Sequence, residues 1–536
     1  MSSNIFPPPS LLSLTSMTQV HQTHAQMLKT GFFHHPYLSS RLLTAATTIS
    51  PSLSYPHSIF NNIHQPNSYI YNTIIRAYST SPTPLQSFHI FIDMLFDAYV
   101  VPDKFTFTFI LKACASLCSI EYGQQIHGVL VKGGFYDDVY VYNTLVHVYA
   151  KGGSFCNARV LLDKMSEPDV IAWNAVLSAY VEMGLMELAR EFLNEMPVKN
   201  QESWNFMVSG YVNVGLVDEA RSIFDEMLEK DVVSWNSLIT GYAKVGDYCE
   251  VLRLFEDMQR GGNVVPDNCT LVNVLSACAG VGALGQGDWV QAYIDKKGIE
   301  VNGFLATALV DMYSKCGCIE KAVEVFNRTS RKDVSTWNSM ISGLSVHGYG
   351  ESALETFNRM VADGYKPNDV TFVSVLAACS REWFLEEGRE MFRNMEEKYG
   401  IEPSVEHYGC MVDLLGRYGL LKEAAELVKG ISVKECPGIW ASLLNACRNH
   451  GDLELAEMVA EKLFEVDPLD SANYVQLSNA YASTGRWNEA MGVRGIMRSK
   501  GVNKEPGCSM IEVDGTVHEF LAGEGLIKEL SIDDCS

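Results

Sequence analysis

The first 92 residues contain no acid. The earliest is Asp93, and only Lys29, Arg41 and Arg76 carry formal charge before it. An acid-free start containing Ser, Thr and Pro (SSNIFPPPSLLSLTS) has the composition of an organelle transit peptide, so residues 1–16 are expected to be a leader or a disordered start. No apolar run approaches the roughly 18 uninterrupted residues of a membrane span, and no membrane partner is expected. Catalytic signatures are missing as well. None of the 13 histidines has Glu two residues later, and Cys-x-x-Cys does not occur, so the ligands and proton shuttle of a zinc-dependent cytidine deaminase are absent. Cys316 and Cys318 are spaced Cys-x-Cys, and Cys114 and Cys118 lie four apart, neither of which suits a metal. There is no Walker loop, Gly-x-Ser-x-Gly or His-Glu-x-x-His, and His518-Glu519 reads as an exposed pair. The expectation is a protein that is not an enzyme, with no catalytic residue, metal or cofactor. A basic excess is also lacking: net charge is -23, with 41 basic and 64 acidic residues, which argues against a binder that holds nucleic acid by charge alone. The 14 cysteines follow no secretory segment and read as free thiols in a reducing compartment.

What is present is a repeat. Trp-Asn recurs at Trp173-Asn174, Trp204-Asn205, Trp235-Asn236 and Trp337-Asn338, with Tyr71-Asn72 and Tyr142-Asn143 as variants. When this Asn is counted as fifth, the eleventh residue is Tyr78, Tyr149, Tyr180, Tyr211, Tyr242, Tyr313 or Tyr481, and the fifteenth is Gly in ten units from Gly153 to Gly485. The twentieth is Ala158, Ala189, Ala220, Ala322, Ala353, Ala424, Ala456 or Ala490. A second kind of unit has Cys in the eleventh place, at Cys114, Cys278, Cys379 and Cys447; four cysteines in one slot read as core rather than ligands. The units run 68–103, 104–138, 139–169, 170–200, 201–231, 232–267, 268–302, 303–333, 334–368, 369–404 and 405–436.

Each unit reads as two helices. In 232–267, Trp235, Leu238, Ile239 and Tyr242 recur at helical spacing, Gly246 supplies the positive φ that ends the helix, and Val251, Leu252, Leu254, Phe255 and Met258 form a second apolar stripe. The small twentieth residue lets the two helices approach. Each hairpin leaves one apolar face open, so neighbours must stack on it. The fold expected is all-α: a right-handed superhelical α-solenoid of helix-turn-helix repeats, its concave face lined by first helices.

These positions resemble those of plant organellar pentatricopeptide repeat proteins of the class with alternating P, L and S repeats, over roughly residues 17–522. Residues 17–67 resemble degenerate N-terminal repeats and 68–436 the array itself. Residues 437–513, from PGIWASLLNACRNHGDLELAEMVAEKLFEVDP to SMIEV, resemble the two E-type motifs. VDGTVHEFLAGEG resembles the opening of an E-plus segment, so 514–536 is expected to be a truncated E-plus segment and tail, without the deaminase domain that some members carry.

The resemblance implies that the fifth and last residues of each repeat read one base of single-stranded RNA. Asn72 with Asp103, Asn143 with Asp169, Asn205 with Asp231 and Asn236 with Asp267 imply uracil. Asn174 with Asn200 and Asn338 with Asn368 imply a pyrimidine, and Thr307 with Asp333 implies guanine. Thr108 with Asp138 would also imply guanine but sits in an L-type repeat; Val272 and Val373, in the same repeat type, should read little, and Gly409 with Cys436 is unassigned. The competing reading is that these asparagines cap or pack the first helices, though the exceptions follow repeat type. The thirteenth residue is Lys151, Lys244, Lys315 or Arg417, where a cation complements a helix C-terminus and could also meet phosphate. Much of the acid is expected on second helices, facing outward.

The implied function is site recognition in C-to-U editing of organellar RNA, with a trans-acting DYW-type deaminase and small editing cofactor proteins as partners, in the mitochondrion or alternatively the chloroplast. RNA splicing, stabilisation or translation without editing, and a protein-binding helical scaffold, are the other readings.

Overall fold

A computed structural model describes residues 14–97, 99–135, 138–165, 169–301, 303–429 and 436–504, with the strand backbone at 508–513, 516–521 and 527–530. Most of the expected leader (1–16) lies outside these residues; Ser16, at its end, caps the helix Met17–Thr30 by accepting from the Gln19 N–H. The described residues hold 29 α-helices. The chain forms two compact units, Met1–Leu238 and Ile239–Ser536.

Within each unit the hairpin follows the repeat. Gly246, expected to end the helix Val232–Val245, has φ +81°, and the second helix is Tyr248–Gly261. All ten fifteenth-place glycines adopt φ between 71° and 82°. Three units lack that glycine; Pro82 takes its place in the first, and in the other two Cys118 (φ 50°) and Trp383 (φ 64°) are driven into the same left-handed region, which L-residues occupy at a cost of about 1–2 kcal/mol. Eleventh-place Tyr78, Tyr149, Tyr211, Tyr242 and Tyr313 are buried, as are twentieth-place Ala158, Ala189, Ala220, Ala322, Ala353, Ala424, Ala456 and Ala490. In the L-type units the twentieth residue is Gly123, Gly287 or Gly388, and an added Cβ would come within 2.6 Å of Val148, 2.4 Å of Met312 or 2.4 Å of Leu414. These contacts are with the first helix of the following unit, so the missing side chain makes room for that neighbour.

Cys114, Cys278, Cys379 and Cys447 are fully buried, as their shared slot predicts. Burial pushes the thiols of Cys114, Cys379 and Cys447 up to about 12, which keeps them protonated and unreactive. Second helices carry the acid into ion pairs between consecutive repeats: Arg159 with Glu195, Arg190 with Glu226 (2.5 Å), Lys321 with Asp288 (2.7 Å), Arg389 with Glu423 (2.7 Å) and Arg486 with Glu457 (3.2 Å). Exposed pairs of this kind contribute about 0–1 kcal/mol each.

The helical repeat array is as expected, and a short sheet follows it at the C-terminal end. After the helix Trp487–Ser499, three strands form an antiparallel sheet in the order β1 (Cys508–Val513), β2 (Thr516–Leu521), β3 (Ile527–Leu530). Ile511 pairs with His518, and His518 with Glu529. The runs SMIEV and TVHEFL are rich in β-branched and aromatic residues and too short for the repeat's helices, and Asp514-Gly515 between them is a hairpin signature. The expected E-plus segment (514–536) is thus described only through β2 and β3.

Candidate functional site

The last residue of a repeat is positioned by the repeat after it. Asp103, Asp169, Asn200, Asp333 and Asn368 are each the N-cap of the following first helix, and their side chains accept the N–H three residues on, from Thr106, Ala172, Ser203, Thr336 and Thr371, at 2.8–3.0 Å. Asp231 does the same for Ser234 at 2.8 Å. A helix N-terminus both needs such an acceptor and favours its negative charge, so the side chain is locked before any ligand arrives.

The fifth residue then bonds to that locked cap. Asn72 donates its amide to Asp103 at 2.9 Å, Asn174 to Asn200 at 3.1 Å and Asn338 to Asn368 at 3.0 Å. Asn143 spans both oxygens of Asp169 at 3.0 and 2.9 Å, and Asn205 both of Asp231 at 3.3 and 3.2 Å. The asparagines therefore do not cap helices; the last residue caps, and the asparagine is tied to the cap. A third residue completes the cluster. The hydroxyls of Thr106, Ser203 and Thr371 reach the Oδ1 of Asn72, Asn174 and Asn338 at 2.7, 2.6 and 2.7 Å. Ala172 stands in that place for Asn143, whose Oδ1 is buried without a partner. The third residue was not among the expected site residues; its signal was the Thr or Ser recurring three places after the cap, the pattern of a capping box.

Other expected positions behave differently. Thr307 bonds to the Gly303 carbonyl (2.8 Å) and Thr336 (2.9 Å) and stands at 3.5 Å from Asp333. Thr108 and Asp138 are not brought together. Thr108 bonds back to the Lys104 carbonyl at 2.8 Å, while Asp138 caps Val139–Lys151 and pairs with Lys104 at 3.3 Å. Asn236 follows Trp235 on Val232–Val245 in the first unit, and Asp267 caps Asn268–Val281 in the second. Cys436 is buried and precedes the helix Pro437–His450, with no cap bond from its side chain.

In both units exposed apolar side chains stand at the second place of most repeats. Tyr69, Phe105, Tyr140, Ile171, Val233, Phe304 and Val370, all second in their repeats, are each at least half exposed. At about 100° per residue the second position lies opposite the buried fourth, eighth and eleventh, so an apolar residue there breaks the amphipathic pattern. That break was legible in the sequence and marks a surface available to a flat apolar ligand. The second residue is polar at Glu202, Ser335 and Glu406, and the Glu202 carboxylate accepts from Asn174 Nδ2 at 3.1 Å.

The thirteenth-place cations are exposed or partly so and mostly paired: Lys151 with Glu182 (3.8 Å), Lys315 with Asp311 (2.8 Å) and Arg417 with Asp413 (3.0 Å), while Lys244 is exposed. In the first unit, Lys112, Asn143, His147, Lys151, Asn174 and Glu202 line a cavity of about 460 Å³. Burial first, then the Lys151 charge, lowers the pKa of His147 below its ordinary value, with Glu182 opposing.

Comparison with known proteins fits this geometry. The PPR repeat model matches residues 140–169, 171–200, 202–232, 304–334 and 370–399, the PPR repeat family model matches 230–280 and 332–381, and the E motif model matches 450–512. The Arabidopsis thaliana pentatricopeptide repeat-containing protein At4g18840 is 59% identical over 93% of this chain and 92% of its own length. A second Arabidopsis thaliana relative, pentatricopeptide repeat-containing protein At2g42920, chloroplastic, is 44% identical over 95% of this chain and 86% of its own. Among solved structures, the pentatricopeptide repeat protein PPR10 from maize superposes with a TM-score of 0.57 at 19% identity, over 87% of this chain and 79% of that one, which bears on fold alone. The chain belongs to the pentatricopeptide repeat family and carries an E motif at its C-terminal end.

Proposed function

We propose that this protein binds single-stranded RNA along the face carried by its first helices, one base per repeat, and marks cytidines for conversion to uridine in an organelle. The carrying observation is the pre-tied pair at Asn72, Asn143, Asn174, Asn205 and Asn338. At Asn72 and Asn338 the oxygen and one amide hydrogen are engaged within the cluster, leaving one N–H to offer. A lone donor suits the carbonyl oxygen of a pyrimidine, and the exposed second-place side chains suit its face. Thr307, whose hydroxyl is held differently, suits a different base, guanine. Lys151, Lys244, Lys315 and Arg417 would meet phosphates by exchanging a carboxylate or water for them.

Because the residues hold no deaminase ligand set, the deaminase would come from another protein, recruited through the E motif, with small editing cofactors on the L-type repeats. The acid-free start and the relative named chloroplastic support an organelle as the destination. Sequencing organellar transcripts from a knockout line tests the role. One or a few specific cytidines left unconverted is the expected result; normal conversion beside unspliced or shortened transcripts would assign the protein to RNA processing instead. A fluorescent fusion to the first 60 residues should enter mitochondria or plastids, and cytosolic fluorescence would count against the organelle.

A further inference from the structure

We infer that Glu202 turns the Asn174–Asn200 slot into one that prefers cytosine over uracil. The inference rests on the RNA-reading role proposed above. Asn174 is only 4% exposed, and every polar position it has is filled: Oδ1 accepts from Ser203 at 2.6 Å, and Nδ2 donates to Asn200 and to Glu202, each at 3.1 Å. The second amide hydrogen, left to offer at Asn72 and Asn338, is here covered by a carboxylate.

The chain supplies its own control. Asn338 with Asn368 is the same residue pair, closed by the hydroxyl of Thr371 as Asn174 is closed by that of Ser203. The two slots differ in the second residue of the following repeat, Val370 in one and Glu202 in the other. After Asn72, Asn143, Asn205 and Asn236 that residue is Phe105, Ile171, Val233 and Cys269, so the acid is peculiar to one asparagine slot. Glu202 is exposed and lines the same cavity as Asn143 and Asn174, so a base entering there meets it.

An ionised carboxylate only accepts hydrogen bonds. Cytosine offers it the exocyclic N4 amino group, a pairing that carboxylates make with this base. Uracil has a single donor on its Watson–Crick edge, N3–H, which lies between the O4 and O2 carbonyls. A carboxylate that reaches it is brought against at least one carbonyl oxygen of like partial charge. Two slots with the same pair should therefore differ, the Val370 slot accepting either pyrimidine and the Glu202 slot favouring the one with an amino group.

The test uses the full chain and fluorescence anisotropy with single-stranded oligonucleotides that differ at one nucleotide. Cytosine and uracil are compared opposite repeat 170–200, then opposite repeat 334–368, and uracil is replaced by guanine opposite repeat 139–169 as a check on base reading. At the Glu202 slot, cytosine should bind about five- to tenfold more tightly than uracil, the lower range for one base-edge contact. E202V should bring that ratio to the value at the Val370 slot, and E202Q, which keeps the shape and removes the charge, should lower it. Equal ratios at the two slots, or a ratio unmoved by E202V, overturn the inference when the change opposite Asn143 still weakens binding. Should that change also have no effect, base reading itself fails and the inference falls with it.

Discussion

Replacing Thr371 by Val removes one hydroxyl and keeps the shape of the side chain, which makes T371V a direct probe of the tied pair. Thr371 is fully buried. Its Oγ1 accepts the Asn368 N–H at 3.0 Å and stands 2.7 Å from Asn338 Oδ1, to which it donates its proton. Valine leaves both groups without that partner, and an unsatisfied buried polar group costs about 1–3 kcal/mol. Asn338 is 7% exposed, so little water reaches its oxygen, whereas Asn368 is exposed and recovers part of its loss. The expected destabilisation is therefore about 2–4 kcal/mol. Repeat arrays open locally as well as globally, so amide hydrogen exchange is the suitable assay. Peptides covering 334–381 should lose that amount of opening free energy, with distant repeats unchanged. T108V is the control: its hydroxyl only bonds back to the Lys104 carbonyl, and its cost should stay within about 0.5 kcal/mol. If T371V cost no more than T108V, the hydroxyl would not hold the pair and the reasoning from the cluster would fail.

Three further outcomes follow from the same structure. C118G relieves a left-handed φ at an exposed side chain and should stabilise its repeat by about 1 kcal/mol after the added freedom of the unfolded glycine is subtracted, as read by hydrogen exchange; destabilisation would mean that the thiol contributes more than its weak bond to the Ala115 carbonyl. RNA affinity should fall gently with salt, because Lys151, Lys315 and Arg417 each exchange an existing carboxylate for phosphate; a log–log slope implying about ten neutralised phosphates would contradict this. The lowered pKa of His147 means that the folded state prefers the neutral ring, so stability declines as pH falls below the ordinary imidazole value; phosphate nearby would favour the charged ring, so RNA binding should tighten between about pH 7 and 5.5, and H147Q should flatten that rise.

The repeat made most of the fold readable. Fifteenth-place glycine, twentieth-place alanine and the shared cysteine slot each state a local requirement, of positive φ, close helix approach and a small apolar filler, and the structure meets all three. The C-terminal sheet was not read from the sequence, because the resemblance named the E-type and E-plus segments without assigning their elements, although Asp514-Gly515 between alternating runs is a hairpin signal of its own. At the candidate site, sequence located the fifth and last residues but not how they are held. That the last residue is a helix cap, that Thr106, Ser203 and Thr371 close the cluster, and that Glu202 intrudes on Asn174 are contacts between repeats. Such contacts depend on the stacking of one hairpin on the next, which spacing within a single unit does not contain. Thr108 with Asp138 shows the converse: the residue types match, but the L-type hairpin holds them apart, each bonded elsewhere.

The central claim, that each tied pair reads one base, is tested most directly by selecting bound sequences from a random pool of single-stranded RNA with the wild-type chain and with Asn143→Thr. The wild type should enrich a pyrimidine-rich motif with uracil at the position facing repeat 139–169, and the substitution should move that one position towards guanine and leave its neighbours unchanged. An unchanged motif, or no enrichment by the wild type, would contradict the account.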